Sequence, residues 1–198
     1  MNAYGRQLFT ALRFLLCATL LLGLAYPVLV FGAGQLIAPA QANGSILTVG
    51  GKAAGSSLLA QPVTGEKFFY PRPSAVGWDP ASSSASNLGP NQPALVEAIA
   101  TNRAEVVARE KVAPDAVPID AVTASGSGLD PDISPEYAAL QVPRVAAANG
   151  VGEAAVRELI AQNTSTGVNA FLGQPSVNTT TLNAALAAVQ KTATGLRE

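Results

Sequence analysis

Few side chains in this sequence could carry chemistry, and the missing ones narrow the field. There is no histidine, and the single cysteine, Cys17, lies inside an apolar run. Without His or an accessible Cys the chain cannot assemble a Ser-His-Asp triad or a Cys-His pair, and it lacks the usual ligands for transition metals. Catalysis would have to rest on carboxylates, Lys, Tyr or a Ser-Lys pair. Lys52 stands four residues before Ser56 and Lys67 follows Thr64, and neither makes the Ser-x-x-Lys spacing of enzymes that use that pair. We therefore assign no catalytic residue and no metal ligand. A free-standing anchored hydrolase or binding protein is the alternative reading.

One stretch, VTASGSGLDPDISPE at 122–136, looks more like a ligand loop. Gly126-Ser127-Gly128 has the small residues of a phosphate cradle, but a P-loop needs Gly-Lys-Ser/Thr entering a helix, and here Leu129-Asp130-Pro131 follows. The alternating acids Asp130, Asp132 and Glu136 resemble a calcium loop without its turn glycine, and Pro135 interrupts it. Ser125, Gly126, Gly128, Asp130 and Asp132 are weak ligand-loop candidates on this count. Ser134-Pro135-Glu136 reads more simply as N-cap, first-turn proline and early acid of a helix.

A second polar stretch points to partners. Residues 71–92 are rich in Pro, Ser, Gly and Asn and follow neither period 2 nor 3.6. A loop of that length in a small domain is functional or disordered, and 82–86 reads as a flexible, serine-padded linker. Arg72, set between two prolines, and the lone Trp78 are the residue types that anchor interfaces. Gln41, Asn43, Gly44, Arg72, Pro73, Ser74, Trp78 and Asn87 are the candidates for a partner-facing surface. Asn43-Gly44 fits local turn structure equally well.

These residues must be positioned relative to a bilayer. Residues 14–33, FLLCATLLLGLAYPVLVFGA, carry no charge, and no ionised side chain falls between Arg13 and Lys52. About twenty residues at 1.5 Å each cross a hydrocarbon core of ~30 Å. Membrane helices tolerate the internal Gly23, Pro27 and Gly32, with a kink expected at Pro27. Arg6, Arg13 and the amino terminus precede the run, so the positive-inside rule predicts a cytoplasmic N-terminus. The expected organisation is a cytoplasmic terminus (1–13), a transmembrane helix (14–35) and one extracytoplasmic domain (36–198). A cleaved signal peptide competes, with Ala38-Pro39-Ala40 and Ala40-Gln41-Ala42 as small-residue sites, but its apolar core would be only about 7 to 15 residues long.

Beyond the anchor there are ten basic and thirteen acidic residues, the wrong sign for wrapping a nucleic acid. Short apolar runs at 46–49 and 58–59 flank a Gly-Gly and predict strand, turn, strand, and Phe68-Phe69-Tyr70 predicts a strand edge. Pro93 opens a helix with Leu95, Val96, Ile99, Val106 and Val107 on one face and Glu97, Arg103, Glu105, Arg109 and Glu110 on a solvated one. Further helices are expected over 135–148, with a kink or restart at Pro143 and a stop at Gly150, over 153–162, and after an Asn178 cap. The fold class is therefore α+β.

Several segments, in order, carry a more specific signal: QANGS (41–45), FYPRPSA (69–75), SNLGP (86–90), the 122–136 stretch running into QVPRVA (141–146), and VNTTTLNAAL near the end. Behind one N-terminal apolar helix, this series resembles the C subunit of the Kdp-type potassium-transporting ATPase of bacteria. The likeness covers nearly the whole chain. It departs in loops: Ser176 follows Gly173-Gln174-Pro175 where a basic residue is usual, and serines precede Asn87 where glycines are common. The resemblance implies an accessory, non-catalytic subunit in the bacterial inner membrane, required for assembly and described as a chaperone that raises ATP affinity in its partner. Its implied partners are a channel-like potassium-translocating subunit, a P-type ATPase subunit and a small single-span subunit, together with membrane lipid. ATP and K+ would be handled by that complex rather than bound here as cofactors.

If the apolar run is an uncleaved span, a C-terminal reporter active only outside the cytoplasm will be active, and the mature chain will retain its N-terminal residues. A cytoplasmic-only signal, or a mature chain beginning near Gln41 or Asn43, would contradict this topology.

Overall fold

The computed structural model describes residues 3–165 and 173–195. Met1 and Asn2 of the expected cytoplasmic terminus, and 166–172 and 196–198 of the expected domain, lie outside the described residues. Contacts divide the chain into two units after Ser45.

The first unit is helical. Helix α1 (Ala3–Leu20), a π-helical turn (Leu21–Ala25) and α2 (Tyr26–Ile37) form one continuous 35-residue helix. None of its residues is buried. The irregularity expected at Pro27 lies one turn earlier, because a helical proline ring collides with the carbonyl four residues back and widening the preceding turn relieves the clash. The Tyr26 N–H accordingly donates to Leu21 O, five residues back. A short α3 (Pro39–Ala42) follows, and the Asn43 amide ties it off by donating to Pro39 O at 2.7 Å and to Gln35 Oε1 at 3.0 Å.

The second unit begins with a hairpin, β1 (Ile46–Val49) against β2 (Lys52–Ser56). Gly50 and Gly51 both have positive φ, 61° and 77°, as a two-residue turn with the hand of a twisted hairpin requires. Strand two therefore starts at Lys52, and the predicted strand at Leu58-Leu59 is absent; Leu58 lies beyond it and is exposed.

The predicted strand edge at 68–70 is also absent, for a specific reason. Phe69 is fully buried, so its backbone needs partners, and two side-chain amides supply them. Asn183 accepts from Phe69 N–H at 2.8 Å and donates to Phe69 O at 2.9 Å, while Gln141 accepts from Tyr70 N–H at 2.8 Å and donates to Tyr70 O at 3.1 Å. Each amide satisfies one residue as a neighbouring strand would. Pro71, with no N–H to offer, ends the segment.

Helix α4 (Pro93–Glu110) starts at Pro93 as predicted, but its faces do not sort as expected. Val96 is exposed, and Glu110, assigned to the solvated face, has a fully buried side chain. Burial of a carboxylate requires pairing. Arg109 Nε reaches Glu110 Oε1 at 2.7 Å and Arg144 Nε reaches Oε2 at 2.9 Å. Arg144 also donates to Glu66 O, Phe68 O and Gln141 Oε1 at 2.5, 3.0 and 2.9 Å. The Arg109 and Arg144 guanidinium carbons lie 4.0 and 5.2 Å from the Tyr70 ring centre. Arg109 Nη2 donates to the Tyr137 hydroxyl at 2.9 Å, and burial pushes that phenol up to about 12.

The remaining elements close the core. Ser134 caps α5 (Pro135–Asn149) as predicted, accepting from Tyr137 N–H at 3.0 Å. The helix runs through Pro143 without restarting and stops at Gly150 in the left-handed region. Helix α6 (Glu153–Gln162) packs on α5. The two-residue strands β3 (Asp132–Ile133) and β4 (Val177–Asn178) pair antiparallel. Asn178 caps α7 (Thr179–Gly195), accepting from Thr180 and Thr181 N–H at 3.1 and 3.0 Å. Phe69, Val106, Val122, Ile133, Tyr137, Val142, Val156, Val177 and Leu182 form one buried cluster among these elements. The domain is α+β, as expected.

Replacing Asn183 with alanine leaves the Phe69 N–H and C=O without partners in a buried site. The expected loss is about 2–6 kcal/mol, at ~1–3 kcal/mol for each of the two orphaned groups. It should appear as a lower urea midpoint with an unchanged slope.

Candidate functional site

The Tyr70 clamp delivers the chain into residues 71–92, which contain no helix or strand, as predicted. They are nevertheless bound down, and the expected flexible linker over 82–86 is corrected in part. Ser84 N–H and Ser83 Oγ both donate to Ser127 O, at 3.0 and 3.1 Å. Ser74 Oγ donates to Gly128 O at 2.7 Å and accepts from Val76 and Trp78 N–H at 3.2 and 2.9 Å. Ser125 N–H donates to Pro73 O at 3.0 Å. Arg72 Nη2 reaches Thr123 O, Thr123 Oγ1 and Ala124 O at 3.4, 3.3 and 3.5 Å.

Two candidates that are separate in sequence, Arg72-Pro73-Ser74 and the 125–130 loop, are thus one structure. Gly128 explains how closely they meet. Its φ is 69°, and a Cβ there would lie 2.6 Å from Val76 Cγ2 and 2.8 Å from Ser84 O. The glycine is required by loop-on-loop packing. Ser125 is buried, with an Oγ that has no protein partner, whereas Gly126 is exposed.

Beside this platform lies an open cleft of about 440 Å³, lined among others by Arg72, Asp120, Asp130, Asp132, Glu136 and Ser176. Its three aspartates already have local partners. Asp120 accepts from Ser134 N–H and Oγ at 2.7 and 2.9 Å, Asp130 from Asp132 N–H at 3.0 Å, and Asp132 from Ser176 Oγ at 3.2 Å. Arg72 Nη1 stands 3.7 Å from Asp130 Oδ2, and both side chains are partly exposed. Burial raises the Asp132 carboxyl above its usual range, Ser176 opposes the shift, and the neighbouring Asp130 charge adds to it. With four carboxylates and one guanidinium the cleft repels polyphosphate. Among the described residues, no group of three or more His, Cys, Asp or Glu side chains could hold a metal ion.

Trp78 is half-buried and holds a left-handed backbone at φ 58°, a strained conformation for a bulky residue. Asn87 is exposed at φ 54°, which Asn tolerates, and its Nδ2 donates to Ala85 O at 3.3 Å. Gln41, Asn43 and Gly44 belong to the first unit, where all three are exposed and Gly44 N–H donates to Gln41 O at 3.0 Å. Lys52 and Ser56 sit at opposite ends of β2, about 13 Å apart at ~3.3 Å per residue, so they form no Ser-Lys pair. Periodicity did not single out Asp120 and Ser176, because their roles depend on contacts with Ser134 and Asp132 made only in the fold.

A single apolar helix of spanning length among the described residues, placed ahead of a small α+β unit, fits a single-pass membrane protein. The family model for KdpC, the c chain of the K+-transporting ATPase, matches residues 8–188, and the chain belongs to that family. It is 50% identical over 183 residues to a potassium-transporting ATPase KdpC subunit of Kineococcus radiotolerans, covering 91% of this chain and 93% of the relative. It is 45% identical to the subunit of the same name from Rhodopseudomonas palustris, covering 87% and 92%, and 43% identical to that of Geobacter sulfurreducens, covering 91% and 97%.

An acid whose pKa is raised by folding favours the folded state at low pH, and that contribution is lost as pH rises from its ordinary value, 3.8 for Asp132, through the raised one. Asp132→Asn should therefore stabilise the protein at pH 7 and leave it unchanged at pH 3. Equal effects at both pH values in urea unfolding would refute the account.

Proposed function

We propose that this chain is the accessory, non-catalytic subunit of an ATP-driven potassium-importing complex in a bacterial inner membrane. The observation that carries this is the c-chain match spanning residues 8–188. Its working partners are a channel-like potassium-translocating subunit, a P-type ATPase subunit that hydrolyses ATP and a small single-span subunit. The amino terminus lies in the cytoplasm and residues 36–198 lie outside. The platform carrying Arg72, Pro73, Ser74, Trp78 and Asn87 faces a partner, as do Gln41, Asn43 and Gly44 at the membrane exit. Strain held at Trp78 supports this assignment, since backbone strain concentrates at functional sites.

In this arrangement the domain does not touch nucleotide. A hydrocarbon layer of ~30 Å separates it from cytoplasmic ATP, and its loop glycine serves packing. Any effect on ATP affinity arises by linkage, with the subunit binding one conformation of the complex better than another. The acidic cleft would sit over the external potassium entrance and raise local cation concentration slightly, an effect that fades at high salt.

In mild detergent, the tagged chain should bring larger membrane subunits with it. An azido-ATP analogue applied to that complex should label the hydrolysing subunit and leave residues 126–132 of this chain unlabelled. Labelling there that ATP competes away would restore direct binding.

A further inference from the structure

A hollow of about 340 Å³ lies within the second unit, between the β1–β2 hairpin and α7. That volume falls at the lower end of the range for small-ligand pockets, about 300–1,000 Å³. Strand β1 contributes Leu47 and Val49, the segment entering the Tyr70 clamp contributes Phe68, and α7 contributes Asn183, Ala184 and Ala187. The helix itself explains why the space is there. Leu182 and Leu186 of α7 are buried in the core, whereas the neighbouring positions that meet the hairpin carry alanines, too short to fill the gap. Protein interiors are otherwise close-packed. None of the described lining residues is charged.

The rim of the hollow carries a fixed polar group. Strand β2 has an extra residue, Ala54, where the register shifts opposite Leu47 and Thr48. Such bulges re-aim side chains and are enriched beside functional sites. Here the bulge exposes the Ala54 carbonyl, and Gln61 Nε2 donates to it at 2.9 Å. The next residue, Gly55, has φ 136°, and a Cβ there would collide with the Gln61 carboxamide. Glycine is therefore required for Gln61 to lie where it does. With Nε2 engaged, Gln61 Oε1 is left as an acceptor without a protein donor among the described residues.

We propose that this hollow binds a neutral amphiphile of the bilayer. One acyl chain lies against Leu47, Val49, Ala184 and Ala187, and a hydroxyl of an uncharged glycerol headgroup donates to Gln61 Oε1. Charge complementarity selects this class: a phosphate or carboxylate at the rim would meet an acceptor oxygen, with no cation on the lining to pair it. The inference rests on the reading of the apolar helix as a membrane span, which places such lipids at hand. It adds a ligand site in the second unit, whose first strand follows Ser45 directly in the sequence.

Photolabelling of the full chain in its complex, in phosphatidylcholine vesicles, tests this. The probe is a monoacylglycerol with a diazirine near the end of its acyl chain, and labelled peptides are mapped by mass spectrometry. Label should fall within residues 47–68 and 180–187, and excess monoolein should displace it. Ala184→Trp, which fills the hollow, should lower that label about tenfold and leave labelling of the apolar helix unchanged. Gln61→Leu, which removes the acceptor, should lower it about fivefold. A diazirine fatty acid, which carries a carboxylate, should label the hollow about tenfold less than the monoacylglycerol. Label confined to the apolar helix, hollow label that monoolein does not displace, or equal labelling by the carboxylate probe would each overturn the proposal. The competition and the carboxylate comparison use the unsubstituted chain, so they decide the matter even if Ala184→Trp fails to fold. Recovery of the chain from the soluble fraction, with the hollow still labelled, would instead refute the span beneath the inference.

Discussion

The domain depends on a buried carboxylate. Glu110 has no access to solvent, and it is held by two guanidinium groups that both also pack against the Tyr70 ring. Desolvating three charges is expensive, and such a cluster persists only when every member is paired with good geometry. Arg144 meets that condition by also donating to the backbone of the 66–68 segment and to Gln141. One ionic knot thus fixes α4 against α5 and aligns the chain that enters the loop platform. Removing one partner from such a knot costs about 3–5 kcal/mol, because the charge left behind remains buried.

A second consequence follows at Phe69 and Tyr70. A segment in the middle of a core, without a strand beside it, would ordinarily leave its peptide groups unsatisfied. Asn183 from α7 and Gln141 from α5 hold it from two helices instead. This substitution of side chains for a sheet lets a unit whose described residues form two two-stranded sheets carry long irregular connections in fixed positions. The platform inherits its order from that clamp: Arg72 and Ser74 begin two residues after it, and their hydrogen bonds bring in the 123–128 loop.

The first unit shows the opposite economy. Its long helix buries none of its residues within the chain, and its length and apolar side chains fit a single membrane span. The membership of the chain in the KdpC family gives both units a shared context, an anchor and a domain in a transport complex.

The uncharged run of spanning length, the charge bias across it, the exclusion of His and Cys chemistry, most helix spans and their caps follow from the sequence alone. Each is a local property: length of an uncharged stretch, residue type at a cap such as Ser134 or Asn178, or period along a helix. The ordered motifs also carried the family resemblance. Only the tertiary structure decided what those motifs do. The sequence places Glu110 on a polar helix face, because periodicity registers charge without registering that Arg109 and Arg144 arrive to neutralise it. Phe68-Phe69-Tyr70 reads as a strand because its apolar pattern is that of a strand, yet its partners are amides more than seventy residues away in sequence. Gly126-Ser127-Gly128 resembles a phosphate loop by composition, but the space around Gly128 is already filled by Val76 and Ser84. In each case long-range contacts settled the role, since burial and pairing are properties of the assembled chain.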